Sequence, residues 1–384
     1  MAGFVPAIHC STLDAAENSW MPGTSAGHDE SSLMNSKPEE ISLKPVSFAE
    51  IEGWSDDDHA AAFRALLKSY RANPELKFGT AATLLGDGVG RETAREFFED
   101  FYTPHVIEGD TLGLVTGYYE PEVEGLRTRS GKFQVPVYAR PDDLITLVPD
   151  TERARFNDRV TGMRQTPDGE TPYFTRAEID AGALSGRGLE LVYLDDPVEF
   201  FFMQVQGSCR VRLSDSSSFR LTYAGKNGHP YTSIGKLLIE RGEGLPAEMT
   251  MEGVKDWLRA DLERGRKLMQ ENRSYVFFRE LPAAEAGDGP LGTRGVALTP
   301  VRSLAIDTAY HALGTPIFVT APELADGAPF QGSHFRRLMI AQDVGSAIRG
   351  RERGDIFWGS GTVAGAIAGS TCHTARFYIL LPNR

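Results

Sequence analysis

The apolar positions of the chain change period twice, and those changes divide it. Phe63, Leu66, Leu67 and Tyr70 recur at the i, i+3, i+4 and i+7 spacing of one helix face, and Ser55 with Asp58 offers a capping box ahead of them. Ala94, Phe97, Phe98 and Phe101 repeat the stripe until Thr103-Pro104, where proline ends a helix. Both stripes read as packing faces. A strand is predicted from Thr111 to Tyr119, closing in Gly117-Tyr118-Tyr119-Glu120-Pro121.

From about 122 to 278 short strand signals alternate with Gly, Pro and Asp. Leu189 to Leu194 alternates until Asp195-Asp196-Pro197 turns the chain. Phe200 to Gln206 is predicted as a strand, with Gln204 and Gln206 on one face and Phe201, Met203 and Val205 on the other. Gly207-Ser208 follows. Val211-Arg212-Leu213 and Phe219-Arg220-Leu221 then flank a serine-rich turn as a hairpin. The polar, glycine-rich loop Tyr223 to His229 precedes a short helix with Ile234, Leu237 and Leu238, and one more helix carries Val254, Trp257, Leu258 and Leu262. After Tyr275-Val276-Phe277-Phe278 strand character returns, near Val296 to Leu298, Pro316 to Thr320 and Arg376 to Leu381. No segment repeats with a fixed period, which excludes solenoids and propellers.

Composition changes this picture little. With 384 residues, 41% hydrophobic and 24% charged, the chain is long enough for two domains. A net charge of −13 argues against a nucleic acid or an anionic membrane surface as partner. Residues 1–42 are rich in Ser, Thr, Asp and Glu and are expected to be disordered, with order beginning near Leu43. Cys10, Cys209 and Cys372 have no metal-like spacing and form no disulfide framework, and the eight histidines make no paired-ligand pattern. No apolar run is long enough to span a membrane. The N-terminus has no basic stretch followed by an apolar one, and Pro6-Ala7-Ile8-His9 is a short, polar lead-in to Cys10, unlike a lipoprotein cleavage site.

The chemistry concentrates between Leu338 and Gly361. Asp343 follows the apolar run Leu338-Met339-Ile340-Ala341 and stands in Gln342-Asp343-Val344-Gly345, and Asp355 precedes Ile356-Phe357-Trp358-Gly359. An acid among Ile, Phe and Trp is a candidate for a raised pKa, and a second carboxylate nearby pushes the same way. Paired acids are the usual equipment for cleaving glycosidic bonds. The same spacing also fits acids that cap turns beside strands. Leu304-Ala305-Ile306-Asp307-Thr308-Ala309 supplies a third embedded acid. Tyr118, Tyr119 and Glu120 at a strand end suit a sugar groove, and equally an aromatic edge covering a core. Gln204 and Gln206 suit recognition of hydroxyl and N-acetyl groups, and equally a solvated face.

With Asp307, Asp343 and Asp355 located, the chain resembles the membrane-bound lytic murein transglycosylase A family and its three-aspartate domain. The resemblance runs from about residue 45 to the end. It is carried by Gly117–Pro121, Gln204-Val205-Gln206-Gly207-Ser208, Tyr223–His229, Leu313-Gly314-Thr315-Pro316, and Gln342–Gly350 followed by Asp355. It implies a mainly β fold: a double-psi β-barrel built from residues 43–121 and 279–384, with peripheral helices. A second β-domain, 122–278, is inserted to form the other wall of a glycan groove.

The implied reaction cleaves the β-1,4 bond between N-acetylmuramic acid and N-acetylglucosamine without water, leaving 1,6-anhydromuramic acid ends. One aspartate protonates the glycosidic oxygen and then deprotonates the C6 hydroxyl, and Asp355 matches it. Asp343 is expected in support, and Asp307 as structural. Tyr118, Tyr119, Glu120, Gln204, Gln206, Ser208, Lys226, Asn227 and Trp358 are the expected groove lining, with no cofactor and no metal. The implied partners are peptidoglycan glycan strands and other cell-wall enzymes, and the implied location is the periplasm or the outer-membrane periphery. Cys209 departs from the family, which more often carries Gly after Gly-Ser.

Three competing readings stand beside this one. An aspartic protease needs its second acid in a separate lobe, and Asp343 comes only 36 positions after Asp307. A glycoside hydrolase on the same barrel would use Asp355 and Asp343 as its two carboxylates. A non-catalytic envelope module would bind glycan without using Asp355.

Overall fold

The computed structural model describes residues 41–109, 112–148, 159–245, 248–282, 289–325, 334–345 and 347–383. The expected disordered tail lies outside them except for Ile41 and Ser42, and so does Cys10. After the short strand β1 (Leu43–Pro45), helix α1 (His59–Ala72) begins with Asp58 as its cap, which accepts from the Ala61 amide; Ser55 does not fill that place. Helices α2 (Gly79–Leu85) and α3 (Arg91–Phe101) follow, then strands β2 (Tyr102–Ile107) and β3 (Gly113–Glu120). Phe63, Leu66, Phe97 and Phe98 fill an apolar cluster that reaches Phe318, Leu338 and Ile340, so the predicted stripes are packing faces.

The middle of the chain holds β4 (Glu122–Leu126), β5 (Val135–Tyr138), β6 (Ile145–Thr146), β7 (Gly162–Thr166), β8 (Gly169–Pro172), α4 (Arg176–Asp180) and β9 (Glu190–Leu194). Next is α5, spanning Pro197–Gln206. This helix corrects the predicted strand. Asp196 caps it, accepting from the Val198 and Glu199 amides, and Pro197 sits at the first turn, where its missing N–H costs nothing. Val198, Phe201, Phe202 and Val205 form the helical stripe that the alternating reading cut across, and Gly207 at φ 78° ends it. At about 100° per residue, Gln204 and Gln206 leave such a helix in opposite directions.

The hairpin is present as β10 (Ser208–Leu213) and β11 (Ser218–Lys226), followed by α6 (Ile234–Glu240). The single helix expected around Val254 to Leu262 is two, α7 (Met251–Ala260) and α8 (Leu262–Glu271), because Asp261 turns its side chain to the amides of Glu263 and Arg264 and starts a new helix. Strand β12 (Val276–Glu280) closes this part. The strands order as β12-β11-β10-β4-β9-β5 in one sheet and β6-β7-β8 in another.

The last part contains β13 (Ser303–Ile306), β14 (Pro316–Ala325), β15 (His334–Val344), β16 (Arg353–Ser360), α9 (Gly361–Ser370) and β17 (Cys372–Pro382). The strand expected near Val296 to Leu298 is reduced to one bridge between Leu291 and Ala297. Strands β17-β14-β15-β13-β16-β3 are neighbours in that order, and β17 also pairs with β3, so six strands close on themselves. Two pairs are parallel, β16 with β3 and β13 with β15, and the rest are antiparallel. This is the double-psi β-barrel. Its interior holds Leu304, Ile306, Met339, Ala341, Ile356 and Phe377, in one apolar cluster with α5 to α8. Cys209 is a buried free thiol, whereas Cys372 is disulfide-bonded, which corrects the expectation of no pairing. No helix among the described residues is long and apolar enough to cross a membrane.

Candidate active site

The two acids meet on one row across the barrel wall. Asp343 is the Cα partner of Ala305, Ala305 of Asp355, and Asp355 of Thr116, on four adjacent strands. Partners in register share a face, so all four side chains leave the sheet on the same side. Asp343 reaches that side only because of a bulge. The register slips between Leu304–Ala341 and Ala305–Asp343, which makes Gln342 the extra residue. Without it Asp343 would point with Ala341 into the barrel. Gln342 turns to α1 instead, donating to the Ala65 carbonyl at 2.7 Å and the Ser69 hydroxyl at 2.8 Å. Ala305 stands between the two acids and puts only a methyl group there.

Asp343 is held from all sides. Its Oδ1 accepts from the Thr293 amide (3.1 Å), the Thr293 hydroxyl (3.0 Å) and the Val344 amide (3.0 Å). Its Oδ2 accepts from the Tyr118 hydroxyl at 3.1 Å. Burial, and then the charges of Asp343 and Asp355, push the Tyr118 phenol well up, so it remains a neutral donor.

Asp355 differs. It has no exposed surface, and its Oδ1 accepts from the Thr116 hydroxyl at 2.7 Å. Its Oδ2 is buried and has no hydrogen-bond partner among the described residues. Burial is the largest influence on its carboxyl, pushing the pKa up to about 7; Arg353 and the Thr116 hydroxyl pull it down, and Asp343 adds a further upward push. Arg353 is itself buried and donates to the Thr116 hydroxyl at 2.8 Å.

Of the sequence-predicted residues, the structure thus brings together Asp355, Asp343 and Tyr118. Glu120 lies further along β3, fully buried, accepting from Arg220 Nε at 2.8 Å and from the Ser360 hydroxyl at 2.6 Å. Tyr119 packs in the barrel's apolar cluster, and its amide donates to Gln206 Oε1 at 3.2 Å. Gln204 faces the other way, accepting from Arg176 at 2.6 Å and donating to the Val276 carbonyl at 2.9 Å. Asn227 braces two loops, donating to the Phe174 and Arg273 carbonyls and accepting from the His229 and Tyr275 amides. Ser208 and Lys226 are buried at the ends of β10 and β11. Trp358 lies in the barrel core, edge-on to Phe335. Asp307 accepts from the Ala309 and Gly350 amides and pins the loop after Asp343. Sequence reasoning missed Thr116, Thr293 and Arg353. Arg353 carried a faint signal, a cation two positions before an acid in an apolar run.

With this geometry the comparisons with known proteins agree. Residues 114–279 match the MltA specific insert domain, and residues 302–381 match the 3D domain. A double-psi barrel carrying this acid pair, joined to that insert, defines a murein-cleaving lytic enzyme. Membrane-bound lytic murein transglycosylase A of Vibrio cholerae is 36% identical over 276 residues, covering 71% of this chain and 67% of that protein. The Escherichia coli K12 protein of the same name is also 36% identical, over 71% of this chain and 68% of its own. Among solved structures, a membrane-bound lytic murein transglycosylase from Agrobacterium tumefaciens is 36% identical with a TM-score of 0.78, covering 89% of this chain and 98% of that one. Escherichia coli MltA with bound chitohexaose is 29% identical with a TM-score of 0.65, over 91% of this chain and 94% of that one. The chain belongs to the membrane-bound lytic murein transglycosylase A family, and it is a peptidoglycan lytic transglycosylase.

Proposed function

We propose that Asp355 is the single acid, and then the base, of the cleavage, and that Asp343 positions the site without taking a proton. The observation that carries this is the contrast between their oxygens: Asp355 keeps Oδ2 unpartnered with a pKa near 7, while both oxygens of Asp343 are already accepting. A carboxyl poised near neutrality serves as acid and base in turn.

In the forward step the Oδ2–H bond breaks, the proton goes to the glycosidic oxygen, and the sugar C1–O bond breaks. The C6 oxygen then bonds to C1, and its proton returns to Oδ2. The nucleophile is already part of the substrate, so intramolecular positioning replaces a water site. Asp355 has no exposed surface, so the glycan reaches Oδ2 only when the side chains covering it move aside. A two-carboxylate hydrolase fits less well, because Asp343 would have to give up hydrogen bonds to serve as base or nucleophile.

The same reading divides the chain into a barrel (43–121 and 279–384) and an insert (122–278) that walls a glycan groove. The contacts of Glu120 with Arg220 and of Tyr119 with Gln206 support it, since each ties β3 to the insert. Its polymer puts the protein in the cell envelope, in the periplasm or at the outer-membrane periphery, with other cell-wall enzymes as expected partners. Digestion of purified murein in ¹⁸O-labelled water tests the chemistry. The expected products end in 1,6-anhydromuramic acid and carry no label; predominant label at reducing ends would make this a hydrolase.

A further inference from the structure

Arginine donates hydrogen bonds and accepts none, so it gives direction to any chain of hydroxyls that it touches. Arg353 donates to Thr116 Oγ1 at 2.8 Å, and Thr116 Oγ1 lies 2.7 Å from Asp355 Oδ1. The Thr116 hydroxyl therefore spends a lone pair on Arg353 and has one proton to give. Its only described acceptor is Oδ1. All three residues are buried, Thr116 at 2% exposure, so a hydroxyl turned elsewhere would leave a donor unpaired away from water.

We propose that Arg353 is a positioning residue which, through Thr116, assigns the catalytic proton to Oδ2 of Asp355. This rests on the reading of Asp355 as the acid and base. A proton on Oδ1 would force the Thr116 hydroxyl to turn away from its acceptor. A proton on Oδ2 leaves the relay intact and sits on the oxygen that has no protein partner. The bias toward Oδ2 is about tenfold to a hundredfold, the usual weight of a buried donor left unpaired. The returning proton meets the same constraint, so both halves of the reaction use one oxygen. The other charged or titratable groups facing Asp355 are Asp343 from β15 and Tyr118 from β3, and neither touches Thr116. Arg353 and Thr116 also draw the carboxyl down against its burial, which keeps it able to release its proton near neutrality.

The test compares Thr116→Val, Thr116→Ser, Arg353→Met and the Thr116→Val/Arg353→Met double variant on purified murein. Melting temperature and chitohexaose affinity are measured for each. Thr116→Val is expected to move the alkaline limb of the pH profile upward and to lower kcat about twofold with KM unchanged, because the proton then divides between the two oxygens. Thr116→Ser, which restores the hydroxyl, is expected to keep the native kcat and the native alkaline limb. Arg353→Met should follow Thr116→Val, and the double variant should be no slower than the slower single one, because both break the same relay. The relay is overturned if Thr116→Val keeps the native kcat and pH profile, if Thr116→Ser falls as far as Thr116→Val, or if the two single losses multiply. Should Arg353→Met not fold, the Val and Ser variants of Thr116 decide alone. Reducing-end products from the native enzyme would overturn the reading of Asp355 itself; anhydro products with no Thr116 effect would overturn only the relay.

Discussion

Asp57 and Asp355 carry the same side chain into the same depth of protein, 1% and 0% exposed, and their pKa values move in opposite directions. Burial pushes both up. At Asp57 the Arg302 guanidinium, the Leu338 amide and Arg337 together more than offset it: Arg302 grips the carboxylate through two bonds of 2.7 and 2.8 Å, the amide donates at 2.7 Å and Arg337 at 3.3 Å. Every lone pair has a use, and the result is a clamp between the α1 end of the chain and the barrel. At Asp355 one oxygen is spent on Thr116 and the other is left over. A buried carboxylate with complete partners holds structure together, and one with an oxygen to spare can exchange a proton.

The largest effect expected from breaking this contrast is on activity. Asp355→Asn should reduce murein lysis by about a thousandfold or more, since the carboxyl that gives up the proton and takes it back is gone. Its melting temperature should be no lower than the native one. Lysis above a few per cent of native would move the catalytic role to another group, with Asp343 next in line.

Asp57→Asn should do the reverse. It leaves Arg302 buried without its counter-charge, at a cost of about 3–5 kcal/mol in stability measured by urea unfolding, while turnover per folded molecule is kept. A loss below about 1 kcal/mol would show that the clamp is dispensable.

Titration separates the two acids more finely. A carboxyl in the unfolded chain has a pKa of about 4. The folded value of Asp57 lies below its ordinary one, so its stabilisation is present above about pH 4 and is lost as pH falls through the depressed value. The folded value of Asp355 is raised to about 7, so its contribution is present below about pH 4 and is lost as pH climbs toward 7. Asp355→Asn should therefore gain stability over the native enzyme from pH 4 to 7, by on the order of a few kcal/mol, and level off above that. A difference that stays flat across this range would contradict the raised value.

The smallest expected effect comes from the strand between the acids and the core. A Cβ on Gly117 would stand 2.6 Å from Trp358 Nε1 and 2.8 Å from the Ala368 Cα, and backbone cannot easily give way. Gly117→Ala should cost about 1–3 kcal/mol and slow lysis by shifting Thr116 and Tyr118. An unchanged melting temperature would mean that α9 moves aside freely.

What the sequence determined by itself was whatever depends on local period and local chemistry. The stripes at Phe63 to Tyr70 and Ala94 to Phe101 are helices, the serine-rich turn is a hairpin, and Asp343 and Asp355 stand out because their immediate neighbours are apolar. The segment at Phe200 to Gln206 satisfies two periods at once, and Asp196-Pro197, which reads as a turn, is in the fold the start of the helix whose stripe begins at Val198.

Tertiary structure alone decided the rest. The bulge at Gln342 turns Asp343 outward, and strand pairing sets Thr116 beside an acid 239 positions away. Glu120, a groove candidate by sequence, is joined to Arg220 and Ser360 in a buried contact. Period is a property of neighbours in the chain. The protonation of a carboxyl depends on which donors reach each of its oxygens, and those donors come from strands that only the closed barrel brings together.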